Sequence, residues 1–182
     1  TAGTMIVDKR ADKVHIINDD FAVTWAGTVS DAQLVTKLLK AELKLKEVKT
    51  NKRPTAKGAA NLLGGLLYSS IRRPSMIPSI AHFLMGGKDT SGIHLYDLFP
   101  DGSVTKITDF VSSGSGSVFA LGVLETQYTQ DMTTEKGVEL VVKAINTALQ
   151  RDSCSGNGID VVVVKMEDIK KVMHKEISYS LL

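Results

Sequence analysis

A chain of 182 residues with 43% hydrophobic and 23% charged residues has ordinary globular composition, enough for one domain, 1–182, with a sizeable core. Its net charge of +2, with lysines scattered over the chain rather than massed beside aromatics, argues against a nucleic-acid partner, and no apolar run reaches membrane-spanning length. One Cys allows no internal disulfide, which fits a reducing, cytoplasmic setting, and four His with one Cys show no metal-ligand spacing.

In chain order, Lys13 to Asn18 and Phe21 to Gly27 read as two strands of a hairpin turning at Asn18-Asp19-Asp20. Ser30-Asp31-Ala32-Gln33 has capping-box spacing and predicts a helix with Leu34, Leu38, Leu39, Ala41, Leu43, Leu45 and Val48 on its apolar side. Pro54-Thr55 opens a second helix that ends near Arg72-Arg73-Pro74. Three strands follow, Ile80 to Met85, Ile93 to Leu98 and Val104 to Phe110, with Gly86-Gly87, Asp89 to Gly92 and Pro100-Asp101-Gly102 as turns. Helices are predicted from Val118 to Tyr128 and from Thr133 to Arg151, the latter with Val138, Leu140, Val141, Ala144, Ile145 and Ala148 inward. A strand from Ile159 to Lys165 and a short tail close the chain. Strands, two helices, strands, two helices and a strand predict an α+β protein, two sheets packed together with a helical layer outside each.

The polar turn between the last helix and the last strand, Arg151 to Asp160, holds a carboxylate and hydroxyls between two rigid elements, where chemistry is often carried. Taken locally it reads more readily as an ordinary helix exit. Glycines from Gly114 to Gly122 before a helix could cradle a phosphate, but the strand, spacing and downstream acid of a dinucleotide site are missing.

Thr1-Ala2-Gly3, Ala26-Gly27, Ser30-Asp31-Ala32-Gln33, Gly86-Gly87, Ser113 to Ser117, Gly122-Val123-Leu124-Glu125 and Arg151 to Gly156 stand in one register from Thr1 to about Lys165. In order and spacing this series resembles the beta subunits of the proteasome core particle, closest to the archaeal type. The resemblance implies the four-layer αββα sandwich of two antiparallel sheets found in the N-terminal-nucleophile hydrolases. It also implies a threonine endopeptidase that cuts unfolded polypeptides inside a closed chamber, with seven-membered rings of beta subunits stacked on alpha-subunit rings, and no cofactor.

An N-terminal threonine can attack a peptide carbonyl because its own α-amine, which ordinarily titrates at a pH of about 8, serves as base. By the resemblance, Lys13 matches the catalytic lysine that keeps the potential positive, and Gly27 the glycine whose N–H lines the oxyanion hole. Asp152 and Ser155 match the pair that supports the nucleophile, and Ser115 the loop serine that completes the network. The plainer readings are a strand-edge lysine, a turn glycine and a flexible Gly/Ser run.

Thr1 is not expected to be the nucleophile, because Lys13 follows it by only twelve residues, whereas in the family a strand hairpin of roughly twenty residues precedes the matching Thr-Ala-Gly. Thr1 then matches the threonine that binds substrate backbone, and the expectation is that an N-terminal hairpin carrying nucleophile and acidic partner is not part of the given sequence. The alternative is a shortened, inactive ring subunit. Intact mass distinguishes them, since 19.6 kDa would contradict omission.

By the same register, Ala11, His15, Trp25, Val29 and Gln33 shape the pocket for the residue before the cut. Trp25 is equally a core residue or a bulky pocket floor that favours smaller side chains. Cys154 reads as a packing residue. Two classes remain, a threonine endopeptidase and a non-catalytic structural beta subunit of the same ring. Another N-terminal-nucleophile hydrolase, such as an amidotransferase, would not explain the paired loop motifs.

Overall fold

The structure is a computed structural model that describes residues 12–156 and 158–176. The described residues form two compact units, one of residues 14–108 with 164–169, the other of residues 12–13, 109–156, 158–163 and 170–176.

The first unit is built on a five-stranded antiparallel sheet in simple sequence order. Its strands are β1 (Val14–Ile16), β2 (Phe21–Gly27), β3 (Ala81–Asp89), β4 (Gly92–Leu98) and β5 (Val104–Ile107). Between β2 and β3 run the helices α1 (Val29–Thr50) and α2 (Ala56–Ile71). Strand alternation sends Phe21, Val23 and Trp25 of β2 and Phe83 and Met85 of β3 into one core with Val35, Leu39 and Leu43 of α1 and Leu63 and Leu67 of α2. Thr55 caps α2 as expected, its hydroxyl accepting from Gly58 N–H at 3.1 Å.

Three expectations are corrected here. The residue before α1 is Thr28, so Ser30 lies inside the helix and caps nothing. Burial then falls on Ala32, Val35, Leu39 and Leu43, a stripe spaced three and four residues apart, while Leu34, Leu38, Leu45 and Val48 are 40–69% exposed. Gly86-Gly87 lies within β3 and makes no turn. The Phe21 ring occupies the space of a side chain at Gly87, where a Cβ would come within 2.4 Å of it, so these glycines serve close packing.

The second unit holds α3 (Ser117–Gln127) and α4 (Thr134–Arg151), packed through Ala120, Leu124, Leu140 and Ala144 and closed at one end by the edge-on pair Phe110 and Tyr128. Thr133 caps α4 by accepting from Lys136 N–H. Val141 and Ile145, expected inward, are 39% and 41% exposed, because the buried stripe follows Leu140, Ala144 and Ala148. After α4 the chain enters β6 (Gly158–Val164) and returns as β7 (Ile169–Glu176) in a separate two-stranded sheet. Ile169–Glu176, within the expected tail from Met166, is therefore a strand.

Candidate active site

The site grows out of one contact between helix ends. Gly116 precedes the first turn of α3, and a Cβ there would fall 2.8 Å from Ala148 Cβ, in the last turn of α4, and 2.8 Å from Ser155 Oγ. Only hydrogen fits that space. Gly114, at φ 98°, supplies the left-handed step that starts the turn, and Ser117 N–H closes it onto Gly114 C=O. Ser115 is thereby carried to the exit of α4.

At that exit Asp152 ends the helix with extended backbone, its N–H still bonded to Ala148 C=O at 2.8 Å. Its Oδ2 accepts two hydroxyl hydrogens, from Ser115 and from Ser155, each at 2.6 Å. Its Oδ1 accepts the Cys154 N–H at 3.2 Å, and Ser155 N–H returns to the Asp152 carbonyl. The carboxyl is held below the ordinary carboxylate range, first by the Ser115 hydroxyl and next by that of Ser155. Burial opposes this, while the Cys154 N–H and the Lys13 charge add to it.

These bonds determine what the cluster can do. Both serine hydrogens point at a carboxylate that is a poor base, so neither hydroxyl is activated as a nucleophile. Each serine keeps free lone pairs and is left as an acceptor. Two acceptors around an ionised carboxylate suit a donor-rich cationic group such as an amine.

The structure brings Ser115, Asp152 and Ser155 into contact and sets Lys13 close enough for its charge to act on Asp152. Gly27 ends β2 in the other unit at φ 118°, where a Cβ would fall 2.3 Å from Ile80 C=O, so the position excludes any side chain. His15 lies opposite Val23 in the ladder and stacks in parallel on Trp25, ring centroids 6.5 Å apart. Trp25 is 4% exposed and belongs to the core. Val29 and Gln33, exposed and four residues apart, share one side of α1 at its start. Thr1 and Ala11 lie outside the described residues.

Two clefts of the first unit, about 270 and 210 Å³, share Asp20, Arg53 and Pro54 and include none of the predicted site residues. Among the described residues no group of three or more His, Cys, Asp or Glu is placed to hold a metal, and no helix is long and apolar enough to cross a membrane. Sequence reasoning did not find the role of Gly116. Its signal was a glycine between a candidate serine and the first residue of a helix.

With this geometry in place, the comparisons with known proteins agree on one family. Residues 1–164 match the proteasome subunit family. The chain is 40% identical over 177 residues to the proteasome subunit beta of Methanocaldococcus vulcanius, covering 97% of this chain and 78% of that one. It is 39% identical to that of Ferroglobus placidus and 40% identical to that of Methanosarcina barkeri, each over 97% of this chain and 82% of the relative. The chain therefore belongs to the proteasome subunit family, and within it to the beta subunits of archaeal type. Its helices and antiparallel sheets agree with the α+β fold expected of that family.

Proposed function

We propose that this beta subunit is catalytic: a threonine-type endopeptidase that hydrolyses peptide bonds of unfolded polypeptides inside the closed chamber of a cytoplasmic core particle. It would assemble with other beta subunits in a seven-membered ring against alpha-subunit rings, its two compact units forming one beta-type domain. The observation that carries this reading is the shared Asp152 oxygen, which commits the Ser115 and Ser155 hydroxyls as acceptors beside the Lys13 charge.

In that arrangement the α-amine of an N-terminal threonine donates its two hydrogens to the oxygens of Ser115 and Ser155, which Asp152 orients. The amine lone pair stays available to take the threonine hydroxyl proton. The hydroxyl oxygen attacks the carbonyl carbon, the amine passes the proton to the leaving nitrogen as the C–N bond breaks, and a water deprotonated by the same amine then hydrolyses the resulting ester and frees the threonine. Lys13 favours the neutral amine and the developing alkoxide electrostatically. The Gly27 N–H donates to the oxyanion. His15, Trp25, Val29 and Gln33, with Ala11 and Thr1, shape substrate binding.

The test compares assembled particles of the full-length wild-type chain and its Lys13→Ala variant on a fluorogenic peptide. Loss of turnover in intact rings supports the endopeptidase. Equal rates in both, or no turnover in either, favour a structural beta subunit.

A further inference from the structure

Lys13 carries its charge at the end of a chain segment that is otherwise exposed, since Asp12 and Lys13 both lie at the surface before β1 begins. A lysine side chain has several rotatable torsions, so the place its ammonium reaches depends on how its backbone is fixed. A contact that fixes the backbone beside Lys13 therefore helps its charge act at one place.

The neighbouring residue supplies the hold. Asp12 Oδ1 lies 3.6 Å from Lys171 Nζ on β7, and the same ammonium lies 3.1 Å from Asp160 Oδ1 on β6. His174 Nδ1 lies 2.7 Å from that same Asp160 oxygen, so the carboxylate is fixed from β7 at two points. All of these residues belong to one compact unit, together with Lys13 and Asp152. Burial opposes the charge on Lys171, but the Asp160 hydrogen bond and the Asp12 carboxylate outweigh it and raise its proton affinity, so the ammonium stays charged. An isolated exposed ion pair contributes little, whereas one cation shared by two carboxylates, one of them mostly buried and itself anchored, holds a defined geometry.

We propose that Lys171 is a positioning residue for peptide hydrolysis: held by Asp160, it grips Asp12 and so fixes the segment that delivers the Lys13 ammonium to Asp152. It touches neither substrate nor nucleophile, and it rests on the catalytic reading above. The grip joins Asp12, next to Lys13, to β6 and β7, and it gives the polar strand β7 a role in the chemistry.

The experiment uses assembled particles of the full-length chain and a fluorogenic peptide. Lys171→Met and Asp12→Asn are each expected to lower kcat about tenfold with KM unchanged, as a displaced catalytic group does. The double variant should be no slower than either single one, because both break the same link. Lys171→Arg should restore most of the rate. Unchanged kcat in intact Lys171→Met particles, additive losses in the double variant, or no rescue by arginine would overturn the proposal. Should Lys171→Met fail to assemble, the Asp12→Asn and Lys171→Arg rates decide alone. Lys13→Ala in parallel separates the two levels. Turnover surviving without Lys13 removes the catalytic reading and this inference with it, whereas turnover lost without Lys13 but intact without Lys171 removes only the inference.

Discussion

Ser115 and Asp152 are separated by 37 positions in the chain, yet the hydroxyl of one lies 2.6 Å from the carboxylate of the other. The contact ties the start of α3 to the end of α4, and it decides which partner donates. Because the hydrogen sits on the serine and the charge on the aspartate, losing either side has a different effect. Ser115→Ala removes one acceptor and one hydrogen bond to an ionised group, which corresponds to a fall of roughly 10- to 100-fold in kcat/KM. Asp152→Asn removes the charge that organises both serines, and a loss of about 10²- to 10⁴-fold is expected. Peptide hydrolysis by assembled particles checks both, and a Ser115→Ala loss larger than that of Asp152→Asn would contradict the roles assigned here.

Gly116→Ala tests the close approach itself. The added methyl meets Ala148 Cβ and Ser155 Oγ, each at 2.8 Å, and the first belongs to a packed helix that yields little. A loss of about 1–3 kcal/mol in stability is expected, read by denaturant unfolding. Activity should fall further than stability alone explains, because Ser155 is displaced. Wild-type stability and rate in this variant would show that the helix ends are not in contact.

Asp89 predicts a pH dependence of stability. Its Oδ2 accepts the Ala56 N–H at 2.7 Å, at the start of α2, and its Oδ1 accepts the Ser91 N–H and hydroxyl. Burial would raise its pKa, but the Ser91 hydroxyl, the Ala56 and Ser91 N–H groups and His94 outweigh burial and pull the carboxyl well below the ordinary range. A carboxyl lowered in the fold stabilises fully above its unfolded pKa of about 3.9, and that stability is lost as pH falls toward the folded value. Asp89→Ala should therefore lose about 1.5–3 kcal/mol near neutrality. The gap from wild type should narrow steadily below about pH 4. A gap that is constant with pH would contradict the assignment.

Trp25 lies buried on the core side of the sheet with His15 stacked against it, and its expected place under the pocket can be tested by specificity. If its bulk closes the floor of the pocket before the cut, peptides with small apolar residues there are cleaved faster than those with Phe or Tyr. Rates on a peptide series differing only at that residue provide the check. A clear preference for Phe or Tyr would remove Trp25 from the pocket.

Much of this architecture could be read before the structure because local chemistry and global fold agree. Thr55 and Thr133 cap the helices they were expected to open, and Phe21 to Gly27 forms the strand expected there. Where prediction failed, a distant residue had decided the outcome. Gly86-Gly87 resembles a turn until the Phe21 ring is seen to occupy the space beside it. Half the residues of β7 are charged and most are exposed, so neither alternation nor an apolar run signals a strand, and pairing with β6 supplies what propensity does not. The candidate site was half legible for the same reason. The resemblance to the family named Ser115, Asp152 and Ser155, but the common oxygen and the direction of its hydrogen bonds exist only in three dimensions.

The most direct measurement is the site of covalent modification in the assembled particle. After treatment with a peptide inhibitor that acylates or alkylates hydroxyl nucleophiles, the modified residue is identified by N-terminal sequencing and peptide mass. An adduct on the N-terminal threonine of the mature chain, formed in wild type and lost in Lys13→Ala and Asp152→Asn particles that remain assembled, is the predicted result. An unmodified N-terminus in active particles, or an adduct on Ser115, Ser155 or Cys154, would contradict a catalytic threonine supported by these residues.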